Sequence, residues 1–96
     1  MDSLLIGLLL TITTNIYQLE SSGGKYDSCR NQGLYNGYGY ASNKVCFETH
    51  AEAEGVVANW VQRQLLLGYS VPQVYCYYQS GKHLNDCDYA KKAAKL

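Results

Sequence analysis

Four cysteines in 96 residues constrain this chain more than any other feature. They are Cys29, Cys46, Cys76 and Cys87. An even set in a short chain reads as a two-disulfide framework and so as an oxidising compartment. Four cysteines allow three pairings. Cys29–Cys46 with Cys76–Cys87 closes the two shortest loops and is the favoured set, although spacing leaves the choice open. Each bridge stabilises a small domain by roughly 2–4 kcal/mol. No Cys-x-x-Cys spacing suggests a zinc ribbon. His83, Asp86, Cys87 and Asp88 fall within six residues, but they read as a helix start, and neither a metal nor any other cofactor is expected.

All four cysteines follow an apolar run, LLIGLLLTI, at residues 4–12. The run is about half the roughly 20 residues a membrane span needs and has the length of a signal-peptide core. Small residues at Ser21-Ser22-Gly23-Gly24 provide a cleavage zone. The expected organisation is a leader over residues 1–24 and one secreted domain over residues 25–96. The start, Met1-Asp2-Ser3, lacks the basic residues of an ordinary leader. The alternative is an apolar amino terminus retained in the fold or used as a tether in an intracellular or membrane-attached protein.

Eight basic residues balance eight acidic ones. That balance argues against DNA binding or an acidic tail. Ten tyrosines against one phenylalanine and one tryptophan are unusual. Several lie in a Gly/Asn-rich stretch around Asn36-Gly37, a pair suited to a hairpin turn. Tyrosine supplies large contact area at low entropic cost, so Leu34, Tyr35, Tyr38 and Tyr40 are the expected contact residues for a partner.

Lys44–Glu48 alternates and reads as a strand. Thr49 and Glu52 form a helix-start signature, and the helix is expected over His50–Leu67. Its apolar face would hold Ala53, Val56, Val57, Trp60, Val61 and Leu67, with Trp60 as the core anchor. Val71–Tyr78 reads as a second strand with Pro72 at its start. Asn85 would cap a short carboxy-terminal helix. The fold class expected is α+β: one long helix on a short sheet, stapled by disulfides.

The catalytic inventory is small. His50 and His83, with Lys82 or Lys44 stabilising charge, would suit cleavage of an RNA phosphodiester. This makes a small secreted ribonuclease the enzymatic alternative, with RNA as the substrate. No G-x-S-x-G elbow and no phosphate-binding glycine motif is present.

The segment Pro72-Gln73-Val74-Tyr75-Cys76-Tyr77-Tyr78-Gln79-Ser80-Gly81 resembles the P-x-x-Y-x-x-Y-E-G stretch of small fungal guanyl-specific ribonucleases. The order of Cys46, the Thr49-capped helix and Pro72 is similar too. The resemblance covers about a third of the chain. It implies an α+β scaffold shared with the ribonuclease-like secreted effectors of plant-pathogenic fungi. The family's catalytic histidine would fall on Gln73, and Ser80 is inserted before Gly81. Only 15 residues follow Gly81, too few for the downstream catalytic sheet. The resemblance therefore implies a non-catalytic protein. The leader and disulfides are also similar to those of small secreted fungal killer-toxin-like proteins. Together these readings predict a secreted, monomeric effector or toxin, in some settings taken up by host cells. It would bind a protein or cell-surface target without catalysis.

Overall fold

The computed structural model describes residues 3–96. Four helices make up the fold: α1 (Ser3–Ser21), α2 (His50–Leu66), α3 (Val71–Ser80) and α4 (Asp88–Ala93). Two short 3-10 turns, Ser28–Gln32 and Tyr40–Asn43, lie in the long connection between α1 and α2. No strand is present among the described residues; one isolated antiparallel bridge joins Tyr35 to Phe47. The α+β expectation is therefore corrected to an all-helical domain.

Helix α2 begins where the sequence places it. The Thr49 hydroxyl accepts the Glu52 amide at 3.1 Å, satisfying one of the four amides left free at a helix start. Ala53, Val57 and Val61 recur every four residues, and all three are fully buried. They form the central stripe of the core. Leu67 is not part of it: it caps the helix and is 71 % exposed.

Helix α3 replaces the expected second strand. Ser70 Oγ accepts the Gln73 amide and Gln73 Oε1 accepts the Ser70 amide, a reciprocal capping box. Pro72 sits in the first turn, where its missing amide costs nothing. Val71, Val74, Tyr75 and Tyr78 are spaced three, four and seven residues apart, which is helical spacing, and Val74 and Tyr75 are buried. The segment that carries the ribonuclease resemblance is this helix, with Gly81 as its carboxy-terminal cap. The sheet which that resemblance implies is absent among the described residues.

The expected strand Lys44–Glu48 contributes only the Tyr35–Phe47 bridge, with both amide-to-carbonyl distances 2.8 Å. A side chain takes the place of the ladder. Asn36, 1 % exposed, donates through Nδ2 to the carbonyls of Tyr40 and Val45, at 2.9 and 2.8 Å. Its Oδ1 accepts the Tyr40 amide at 3.0 Å. Buried Asp27 accepts the amides of Cys29 and Asn36. A segment whose polar groups are met by Asn36 and Asp27 needs no partner strand. The Asn36-Gly37 pair is likewise not a hairpin tip. Gly37 is required by packing, since a Cβ there would lie 2.3 Å from the Tyr17 ring.

The disulfides join Cys29 to Cys46 and Cys76 to Cys87. The first closes the long connection on itself. The second ties α3 to the start of α4, where Cys87 Sγ also accepts the Ala90 amide as the helix cap. Asn85, the expected cap, instead accepts Gln73 Nε2 at 3.0 Å.

The apolar run at residues 4–12 opens α1. Ile12, Thr13 and Ile16 are buried against the other helices, and Leu9, Tyr17 and Leu19 flank them. Leu4 and Leu10, by contrast, are 77 % and 61 % exposed. No described helix is long and apolar enough to cross a membrane. The Met1-Asp2 start of the expected leader lies outside the described residues.

Candidate functional site

Four helices and one turn converge on a cleft of about 630 Å³. Its aromatic side comes from Trp60 on α2, Tyr77 and Tyr78 on α3, and Tyr89 on α4. Glu20, in the last turn of α1, supplies a carboxylate. The turn Gly39–Asn43 forms the remaining rim, with Gln79 beside it. The volume lies within the range of small-ligand clefts.

The rings hold each other in place. Trp60 packs edge-on against Tyr78 with centroids 5.3 Å apart, and stacks on Tyr77 at 5.8 Å. The Tyr78 hydroxyl donates to the Tyr38 carbonyl. The Tyr89 hydroxyl donates to Glu20 Oε2 at 2.8 Å, joining α4 to α1. Burial, and then the Glu20 charge, push both phenols far above the ordinary range. They stay protonated at physiological pH, so the cleft lining carries one formal charge, that of Glu20.

The rim is strained. Ala41, Ser42 and Asn43 all have positive φ, at 54°, 55° and 62°. Left-handed backbone costs a non-glycine residue about 1–2 kcal/mol. Here the surroundings fix it. Asn36 grips both the amide and the carbonyl of Tyr40, and the Lys44 amide closes on the Ala41 carbonyl at 3.1 Å. Gly39 precedes the run at φ 62°, and a Cβ there would meet Glu20 Oε1 at 2.4 Å. The glycine thus serves both the turn and the placement of the carboxylate.

The four expected contact residues are separated. Only Tyr40 lines the cleft. Leu34 and Tyr35 border a shallow depression with Arg30, whose guanidinium lies 5.5 Å from the Tyr35 ring. Tyr38 is 2 % exposed and belongs to the core. Its ring packs on Tyr17 and His50, and its hydroxyl donates to Glu54 at 3.3 Å. A buried ring cannot meet a partner. The Gly/Tyr stretch reads as one surface only if it is taken for a hairpin.

The expected catalytic histidines are not brought together. His50 opens α2 beside Tyr17 and Tyr38. His83 stacks on Tyr69 and Tyr77, with Nε2 2.8 Å from Gln64 Oε1. His50 and Gln64 are separated by about 21 Å of helix. Two imidazoles at opposite ends of α2 cannot serve one phosphodiester as base and acid. Lys82 accompanies His83 in the turn after α3, and Lys44 flanks the strained rim without lining the cleft. No cluster of metal-ligating side chains occurs among the described residues.

Neither Trp60 nor Glu20 carries a local sequence signal for the cleft. Trp60 sits on the apolar stripe and reads as core; it does pack against the core, partly buried, and it also lines the cleft, which the stripe does not reveal. Glu20 lies inside the expected leader. No family model, characterised protein or solved structure matches the chain.

Proposed function

We propose that this is a small non-catalytic binding protein, that it acts in an oxidising compartment as an exported effector or toxin would, with α1 retained in the fold rather than removed as a leader, and that the aromatic cleft is its ligand site. Two disulfides and the absence of free cysteines support the compartment. One observation carries the site: the rim of an aromatic-lined cleft is built from three consecutive left-handed, non-glycine residues. Strain of this kind is held where a particular rim geometry is used. The separated histidines give hydrolysis no base–acid pair.

Chemical-shift mapping on the oxidised protein tests the site. The probes are arginine amide, lysine amide, glucose and inorganic phosphate. Saturable shifts at the Trp60 indole and the Tyr40–Asn43 amides are expected from at least one probe. Shifts confined to the Leu34–Tyr35 depression, or no saturable shift from any probe, contradict the assignment.

A further inference from the structure

We propose that the cleft takes an organic cation, an ammonium or guanidinium group of the kind borne by lysine and arginine side chains. The proposal rests on the cleft being the ligand site. Its first support is charge. Glu20 is the only formally charged residue in the lining, and no Lys, Arg or His accompanies it. The ion pairs among the described residues are Arg30–Asp27, His50–Glu54 and Lys91–Asp86, none of which uses Glu20. The carboxylate is held by a neutral donor, the Tyr89 hydroxyl, which fixes its position without cancelling its charge.

The second support is the ring arrangement. Trp60, Tyr77, Tyr78 and Tyr89 come from three helices and border the same space as Glu20. Aromatic faces carry negative quadrupole density and attract a cation within about 6 Å, tryptophan most strongly. An anion would meet the Glu20 carboxylate with no positive group in the lining to offset it. The Tyr78 and Tyr89 oxygens keep lone pairs after donating their protons, and these can accept from N–H groups.

Trp60 is the chain's only tryptophan, so its emission reports on the cleft wall directly. The test titrates the full-length oxidised protein with arginine amide, lysine amide and choline. Glucose serves as the neutral probe and inorganic phosphate as the anionic one. Saturable change in Trp60 emission with the cations is expected, weakening as salt is raised. Glu20→Gln keeps an acceptor for Tyr89 and removes the charge; it should lower cation affinity at least tenfold. Glu54→Gln, which removes a carboxylate outside the cleft, should leave it unchanged. Saturable glucose or phosphate binding that Glu20→Gln does not alter would overturn the cation assignment while keeping the cleft as the ligand site. No saturable response to any cation would also overturn it. Shifts mapping away from Trp60 and Tyr40–Asn43 would overturn the site itself.

Discussion

Asn36 is the side chain on which the long connection depends. It satisfies two carbonyls and one amide that have no ladder partner, and it holds Tyr40 at both backbone groups. Leaving a buried polar group unsatisfied costs about 1–3 kcal/mol. Asn36→Asp replaces the donor that faces the Tyr40 and Val45 carbonyls with an acceptor. It should destabilise the protein by about 2–4 kcal/mol, read by chemical denaturation with the disulfides intact. A neutral result would mean that the connection is organised by its disulfide alone. Sequence singles out Asn36-Gly37, but as a turn pair. The use of Asn36 as a buried clasp depends on carbonyls up to nine residues away, which no local pattern reveals.

At the scale of elements, α3 is where local signals compete. Val71–Tyr78 is rich in β-branched and aromatic residues, which favour a strand. Ser70 and Gln73 satisfy each other's amides, and Pro72 fits a first helical turn, which favours a helix. The helix prevails because its apolar stripe buries Val74 and Tyr75 against the rest of the core. Ser70→Ala removes the cap and should cost about 1 kcal/mol, with a matching loss of amide protection over residues 71–75. In a strand the same change would be close to neutral. The start and central stripe of α2 are legible, because the Thr49 cap and the four-residue spacing of Ala53, Val57 and Val61 agree, whereas Leu67, expected on the apolar face, is the exposed cap. The strand expected at Lys44–Glu48 was not corrected by any local signal, since a lone bridge and a ladder start from the same alternation. The cleft was illegible for a related reason: its lining comes from four helices and a turn, and each contributor reads locally as something else.

Across the whole molecule, four tyrosines are withdrawn from water: Tyr38 and Tyr75 lie in the core, and Tyr78 and Tyr89 pack partly buried against it. Tyr38, Tyr75, Tyr78 and Tyr89 all have pKa values raised, with burial the first cause in each. A phenol raised in the folded state favours folding while it is protonated. Its contribution is complete below the unfolded value near 10 and is lost as pH rises from there toward the folded value. Helical circular dichroism should therefore fall above about pH 10, with the tyrosinate absorbance of these four residues appearing in the same transition. Ionisation of all ten tyrosines without loss of helix would contradict the buried placement. The disulfides act at the same scale. By chain-entropy reasoning, bridges spanning 17 and 11 residues each stabilise by about 3 kcal/mol.

Helix α1 packs into the core and brings Glu20 to the cleft. Burial of Ile12 and Ile16 alone contributes roughly 1.5–3 kcal/mol each, before Leu9, Tyr17 and Leu19 are counted. That is a large fraction of the roughly 5–15 kcal/mol that holds a small domain together. The decisive measurement compares thermal unfolding of residues 1–96 with that of residues 25–96, both oxidised and followed by circular dichroism. One cooperative transition is expected for the full chain, and loss of that transition for the shorter one. A shorter chain that melts as cooperatively, at the same temperature and with the same helix content per residue, would contradict it; α1 would then be a leader laid against a domain that is complete without it.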